Sequence, residues 1–406
     1  MRMTIGTIRE LGADGKTVLL RLDLNSPIDP SSNLILDDKR FREHIPTIKA
    51  LSGSRLVIVS HQSRPGKKDF TTLEAHAEKL GYLLGKPVKY VDSIFGRHAR
   101  EVIHGMKIGD VVMLENVRFN AEENLTLKPE EAKKTHLVRK LSSMADVFVN
   151  DAFGTAHRSQ PTVVGLPLAM RSAGGLLMEK EVSTLSRVFT DAPRPVCMVL
   201  GGTKVDDSID VARHVLDRGI ADQVLVTGVV ANVFLLAAGY DIGKPSTQLI
   251  AQLKYQAEIE KAKEILSGYK DRVILPGSVA VREHNLRKEY PIKKIPRDAP
   301  VLDIGMDAIH DFVKVLKTSG TVVFNGPAGL FEDADFATGT YEMLKAASRV
   351  DFSVVGGGHT AAVIEKMGLD QNFTHISTGG GACIEFLTGK VLPAVEALEE
   401  SKKIFG

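Results

Sequence analysis

The sequence predicts an α/β protein with two parallel sheets, each buried on both faces. Three observations carry this prediction. Short apolar, β-branched runs recur along the 406-residue chain; each leads into a polar or glycine-rich turn; and a helical stretch fills the gap before the next run. Near-continuous apolar strands are those covered on both faces, and strands alternating with helices connect in parallel. In the first half the runs are Thr17–Asp23, Arg55–Ser60, Val88–Val91, Asp110–Glu115 and Val147–Asp151. In the second half they are Val196–Leu200, Gln223–Thr227, Arg272–Leu275, Thr321–Asn325 and Asp351–Val355. Two sets of at least five strands imply two domains of similar size, in line with roughly 150 residues per domain. Between the sets lies a loop-like stretch, Pro161–Arg171, then Gly174-Gly175, then Leu176–Phe189, whose apolar residues fall at helical spacing. A helix there would join the domains. Val391–Leu398 is also helical in pattern.

Composition narrows the function. Apolar residues make up 43% and charged residues 25%, the balance of a soluble protein with ample core. Lys and Arg number 52 against 50 Asp and Glu, which excludes binding of nucleic acid by bulk charge and an acidic disordered chain. The slight basic excess sits in the first 170 residues, which hints that this half meets an anion. Cys197 and Cys383 are too few for a disulfide framework or a cysteine-rich zinc site. Met1–Leu11 lacks the apolar core of a signal peptide, and the most apolar stretch, Leu225–Gly239, is shorter than the roughly 20 residues of a membrane span. The expectation is a cytoplasmic protein with no membrane and no nucleic-acid partner.

In open parallel sheets, ligands bind beyond the carboxyl ends of the strands. In the first half those ends read Arg21-Leu22-Asp23-Leu24-Asn25, His61-Gln62-Ser63-Arg64, Glu115-Asn116-Val117-Arg118 and Asn150-Asp151 followed by Arg158, with Arg40 opening a helical stretch. A lone arginine is usually a solvated surface residue or a partner in a folding ion pair. Recurrence at one predicted sheet mouth favours a site for a small, multiply anionic molecule, because the guanidinium fork matches phosphate and carboxylate. The second half differs. Its strand ends are Gly201-Gly202-Thr203-Lys204, Asn325-Gly326-Pro327-Ala328-Gly329, Gly356-Gly357-Gly358-His359-Thr360 and Thr378-Gly379-Gly380-Gly381. One glycine loop is often only a turn; four, one with a lysine, point to a nucleotide phosphate chain. No G-x-x-x-x-G-K-[ST] occurs, no G-x-G-x-x-G follows the first strand, and no H-R-D loop is present.

The segments RLDLNSP (21–27), HQSRPG (61–66), LENVRFN (114–120), NDAFGTAHR (150–158), GGTKV (201–205), NGPAGLFE (325–332), GGGHTA (356–361) and STGGGA (377–382), in that order, resemble the phosphoglycerate kinase family over essentially the whole chain. The resemblance implies two Rossmann-like domains joined by a helix and facing each other across a cleft. They would be a 3-phosphoglycerate domain (1–172) and a nucleotide domain (173–390), with a tail (391–406) packing back on the first. It implies reversible phosphoryl transfer between 1,3-bisphosphoglycerate and ADP, giving 3-phosphoglycerate and ATP, with Mg2+, in glycolysis or gluconeogenesis, by a monomer or homodimer. Carried over to matching positions, the glycerate contacts are Asp23, Leu24, Asn25, Arg40, His61, Gln62, Ser63, Arg64, Arg118 and Arg158. The nucleotide contacts are Lys204, Asn325, Glu332, Gly357, Gly358, His359, Thr360, Gly379, Gly380 and Gly381. Arg40 and Lys204 are the expected catalytic residues, neutralising charge on the moving phosphoryl group. The acceptor is a carboxylate, with a pKa near ~3.5, already ionised at neutral pH, so no general base is needed. In-line transfer with water excluded calls for a hinge, expected at Gly174-Gly175 and Ser377–Gly381.

Two positions depart from the commonest family pattern. Ser208 stands where a second lysine is usual, and His359 where GGGDT carries an aspartate associated with magnesium; both changes match the archaeal branch. A neutral histidine is a poor ligand for Mg2+. The metal ligands therefore stay unassigned: Asp206 and Asp207 could assist a metal held by phosphates and water, or could simply cap the helix that follows. Two rival readings share the fold, a dinucleotide-dependent oxidoreductase, which lacks its fingerprint here, and a non-catalytic nucleotide-binding protein, which would have no need of Arg40.

Overall fold

The computed structural model describes residues 5–406, which divide into two compact units. Unit 1 runs to Thr184 and takes back Val391–Gly406; unit 2 is Leu185–Lys390. The division falls inside the helix Leu176–Thr190, which runs from one unit into the other.

Unit 1 holds β1 (Thr17–Arg21), β2 (Arg55–Val59), β3 (Lys89–Val91), β4 (Val111–Leu114), β5 (Val147–Asn150) and β6 (Ser172–Gly174) in one parallel sheet, ordered β3-β4-β2-β1-β5-β6. β1, β4 and β5 are buried at every position, as their unbroken apolar runs predict. Alternate side chains feed two cores. Val18, Leu20 and Ile58 pack on one face, while Leu19, Val57 and Phe148 pack on the other. Register levels the carboxyl ends, since Arg21 lies opposite both Val59 and Asn150. The helix Pro393–Phe405 packs on this unit, where the Ala394 amide donates to the Ala156 carbonyl at 3.0 Å.

Unit 2 holds β7 (Val196–Leu200), β8 (Gln223–Val226), β9 (Val273–Ile274), an antiparallel sheet of β10 (Ser278–Glu283), β11 (Leu286–Pro291) and β12 (Val301–Ile304), then β13 (Thr321–Asn325), β14 (Phe352–Gly356) and β15 (His375–Ile376). Its parallel sheet is ordered β15-β14-β13-β7-β8-β9. Asn325 lies opposite both Leu200 and Gly356, so the glycine loops again leave from one edge. Both units are thus Rossmann-like, with a parallel sheet and helices on its two faces.

Two features differ from the sequence reading. Pro161–Arg171, expected as loop, begins with a wide helical turn, Pro161–Gly165, continued by the helix Leu166–Ala169; all of Pro161–Leu168 is buried. The antiparallel sheet has no counterpart in the reading. Its hairpin turns on His284 and Asn285, both left-handed at φ 51 and 61, and Asn tolerates that conformation better than most residues. Gly174-Gly175, expected as a hinge, lies inside unit 1 and is closely packed. A Cβ on Gly175 would fall 2.1 Å from the Asp151 carboxylate, which accepts from the Leu177 amide at 2.9 Å and so holds the start of the helix.

Candidate active site

At the carboxyl edge of the unit 1 sheet, Arg21 is completely buried. Its guanidinium donates to the Leu22 carbonyl (2.6 Å), Thr162 Oγ1 (3.1 Å) and His61 Nδ1 (3.2 Å), and faces the Glu123 carboxylate at 4.0 Å. A guanidinium has only donors, so His61 Nδ1 accepts, and the neutral ring carries its proton on Nε2. Burial, then Arg21, Arg118, Arg158 and Arg40, holds His61 well below the ordinary histidine pKa. Arg118, buried on the turn after β4, is pushed down to about 10 by burial and then by Arg158 and Arg21. The clustering of these cations favours an anion at this edge.

Asp23 pairs with Arg40, which opens the helix Lys39–Ala50, and Arg40 is half-buried. The Asp23 amide donates to His44 Nε2 (3.1 Å), and His44 Nδ1 meets Asp151 at 2.8 Å. Asn25 Oδ1 accepts from the Ser63 amide (2.7 Å), and Arg118 donates to the Ser63 carbonyl, so the strand ends are tied together. Arg64 and Arg158 are exposed. Arg158 stands close enough to act on the charge of Arg118 and His61. Two expected contacts do not present side chains there. Leu24 is a core residue, and the Gln62 amide is taken up by Ser26 and His76. Glu123, Thr162 and His44 escaped the sequence reading because they buttress the site from elements remote in sequence.

In unit 2 the loops meet where the strand order reverses, between β7 and β13. The Gly201 amide donates to the Asn325 carbonyl and the Gly202 amide to the Pro327 carbonyl, both at 2.8 Å. A Cβ on Gly326 would fall 2.3 Å from the Gly201 carbonyl, and Gly326 sits at φ +84, so the crossing admits only glycine. Beside it lies a cavity of about 230 Å³, lined by Lys204, Asn325, Gly357, Thr360, Gly380 and their neighbours. The helices Val205–Asp217, Gly358–Lys366 and Gly380–Leu387 all begin at these loops, and none has a side-chain cap. No N-cap side chain occupies these three helix starts, and their dipoles together favour an anion there. Lys204 is exposed at the rim, while the Thr360 hydroxyl is buried without a partner. Gly379 is buried, its amide donating to Ser377 Oγ at 3.2 Å.

A second cavity of about 220 Å³ adjoins the first, sharing Gly202, Thr203, Pro327 and His359. Its wall is mostly apolar, with Val229, Leu249, Leu302 and Phe331, and Glu332 is exposed at its edge. Sequence reading missed this wall, because it comes from a helix, the antiparallel sheet and a loop. The position at 208 is also clarified: Ser208 is buried and its hydroxyl donates to the Lys204 carbonyl (2.8 Å). The His359 ring lies 5.6 Å from that of Phe331. Asp206 and Asp207 occupy the first turn of their helix but neither caps it. Burial and then Asp206 raise the Asp207 pKa.

The sequence model of phosphoglycerate kinase matches residues 8–390 of the chain. The chain belongs to the phosphoglycerate kinase family. It is 65% identical to the phosphoglycerate kinase of Methanocorpusculum labreanum over the full length of both chains. It is 49% identical to that of Methanothermobacter thermautotrophicus, over 98% of this chain and 97% of the relative. The crystal structure of phosphoglycerate kinase from Pyrococcus horikoshii superposes with a TM-score of 0.92 at 42% identity, over 99% of this chain and all of the other. The reaction is that of the family: reversible phosphoryl transfer between 1,3-bisphosphoglycerate and ADP, giving 3-phosphoglycerate and ATP, with a carboxyl group as acceptor. Neither the oxidoreductase nor the non-catalytic reading is favoured by these matches.

Proposed function

We propose that the arginine-rich edge of unit 1 binds 3-phosphoglycerate and that the glycine-rich edge of unit 2 binds ATP and ADP. The observation that carries this reading is the segregation of two unlike anion sites. One is a set of fixed cations around the neutral His61. The other is a convergence of three uncapped helix N-termini beside an apolar cavity sized for a base.

In unit 1, Arg118, Arg158 and Arg64 take the phosphate of the glycerate, while Asp23, Asn25 and His61 Nε2–H orient its hydroxyl and carboxylate. In unit 2, the base enters the apolar cavity, Glu332 meets the ribose, and Lys204, Asn325, Thr360 and the 357–358 and 379–381 glycines hold the phosphates. The acceptor carboxylate needs no base, so the protein's work is alignment and electrostatic stabilisation. Arg40 and Lys204 supply positive charge to the phosphoryl group as it moves. Reacting atoms must come within about 3–3.5 Å with water excluded, so we place a closing motion in the catalytic cycle.

Among the described residues no group of three or more His, Cys, Asp or Glu side chains could hold a metal ion. Magnesium accordingly enters as part of the nucleotide substrate, coordinated by phosphate oxygens and water. No helix among the described residues is long and apolar enough to cross a membrane. We assign the chain to the cytoplasm. One copy carries both residue sets, so catalysis needs no second copy, whether the chain is a monomer or a homodimer.

Calorimetry on the full chain tests the assignment. Arg118→Ala should weaken 3-phosphoglycerate and spare ATP, and Lys204→Ala should do the reverse. Loss of ATP binding in Arg118→Ala, in a variant that keeps its fold, would overturn it.

A further inference from the structure

The buried side of the helix Lys39–Ala50 carries two polar residues, His44 and Thr47, beside the apolar Phe41 and Ile48. Arg40 lies one turn before His44 and pairs with the Asp23 carboxylate. Thr47 Oγ1 accepts from the Leu176 amide at 3.0 Å. His44 is 1% exposed and uses both ring nitrogens. A backbone amide only donates, so Nε2 accepts from the Asp23 amide at 3.1 Å, and Nδ1 carries the proton and donates to Asp151 Oδ2 at 2.8 Å. This tautomer is the opposite of that in His61. Asp151 is itself held, because its other oxygen accepts from the Leu177 and Met178 amides at 2.9 and 3.2 Å. The Asp23 amide lies just beyond β1. The amides on either side of it go to the Val59 carbonyl and to Ser60 Oγ, both at 3.1 Å, and its own goes to His44.

We propose that His44 is a positioning residue for 3-phosphoglycerate, which acts by tying the Asp23 peptide, and through it the Asp23 carboxylate, to the fixed Asp151. The proposal rests on the placement of the glycerate at this edge given above. The Asp23 carboxylate has little room. It pairs with Arg40, and a Cβ on Gly154 would collide with it. The direction in which it points follows from the plane of its own peptide, which the bond to His44 Nε2 sets. Without that acceptor the Asp23 amide stays buried and unpaired, and the peptide turns to find another partner. The carboxylate that orients the glycerate hydroxyl then turns with it, and a small misplacement of an aligning group costs rate. The bond to Asp151 serves a different end: it fixes which ring nitrogen holds the proton and how the ring is turned.

Steady-state kinetics with each substrate varied in turn provide the test. His44→Ala should lower kcat/KM for 3-phosphoglycerate by roughly tenfold, the size expected for one lost buried hydrogen bond, and leave the KM for ATP within about twofold. Two amide variants separate the two bonds, and they also serve if the alanine variant folds poorly. His44→Gln can place an oxygen where Nε2 stands and should recover most of the loss. His44→Asn reaches only the position of Nδ1, keeps a donor for Asp151, and should stay as impaired as alanine. A histidine that merely fills space would not produce this order. In nitrogen NMR spectra of histidine-labelled protein, the signals that vanish in His44→Gln should show the proton on Nδ1; a proton on Nε2 would overturn the proposal. Arg118→Ala checks the glycerate placement itself and should raise the KM for 3-phosphoglycerate. If it does so while folded His44→Ala keeps its kcat/KM, or while His44→Gln recovers no more than His44→Asn, the role of His44 is refuted and the placement stands. If Arg118→Ala leaves that KM unchanged, the glycerate lies elsewhere and both statements fall.

Discussion

Glu123→Ala removes the carboxylate that faces Arg21 at 4.0 Å, in a place where both side chains are fully buried. The two charges oppose burial separately: desolvation raises the Glu123 pKa and lowers that of Arg21, and each partner acts against that shift in the other. Removing one member of a buried pair strands the other and costs about 3–5 kcal/mol. Glu123 also accepts from the Thr162 amide (2.9 Å) and hydroxyl (2.6 Å), bonds worth about 1 kcal/mol each and partly contained in that loss. Arg21 would still have the Leu22 carbonyl, Thr162 and His61 as acceptors, which places the expected loss near the lower end, about 3 kcal/mol. Glu123→Gln keeps one of the two acceptors for Thr162 and should lose less than alanine. Two units need not unfold together, so amide exchange in β1, which reports the opening of unit 1, is the better measure than a single melting temperature. Because Thr162 and Arg21 set the position of His61, 3-phosphoglycerate affinity should fall while ATP affinity holds. A β1 opening free energy within about 1 kcal/mol of the unmodified protein would refute the reasoning, since Arg21 would then be compensated by some other group.

Arg40→Ala should lower kcat by roughly 10²–10³ while leaving the KM for ATP nearly unchanged, because its charge counts most as the phosphoryl group moves; near-normal steady-state kcat would remove Arg40 from the mechanism. His76 is buried and its pKa is pushed down to about 4, so between that value and the ordinary 6.5 the unfolded chain binds a proton that the folded chain does not. Stability of unit 1 should therefore fall as pH drops from 6.5 to about 4, by about 3 kcal/mol from this residue, and His76→Gln should flatten that slope in denaturant titrations. Gly326→Ala should raise the KM for ATP and leave 3-phosphoglycerate binding intact, because the added Cβ collides with the Gly201 carbonyl where the phosphate loops cross; unchanged nucleotide kinetics would show that the crossing does not shape the site.

How much was legible in the chain depended on how local the signal was. Continuous apolar runs such as Val147–Asn150 and Thr321–Asn325 announced buried parallel strands because every side chain in them is covered. β6, Ser-Ala-Gly, has almost no apolar signal, and β15 has two residues; both gain their place from pairing with a neighbour already formed. The hairpin Ser278–Pro291 was missed because its second strand is charged and largely exposed and its turn lacks the usual Asn-Gly.

The sequence by itself determined the fold class, the family and which strand ends carry the arginines and the glycine loops, since these are motifs within a few residues of one another. Tertiary structure alone decided which of those residues present side chains and which serve as struts. It turned Leu24 and Gln62 inward, brought Glu123 and Thr162 behind Arg21, and fixed the proton of His61 on Nε2. It also packed Gly175 against Asp151, and assembled an apolar cavity in unit 2. The physical reason is that burial, hydrogen-bond partners and desolvation are set by segments far apart in the chain, 141 residues in the bond from Arg21 to Thr162, and no local pattern encodes them.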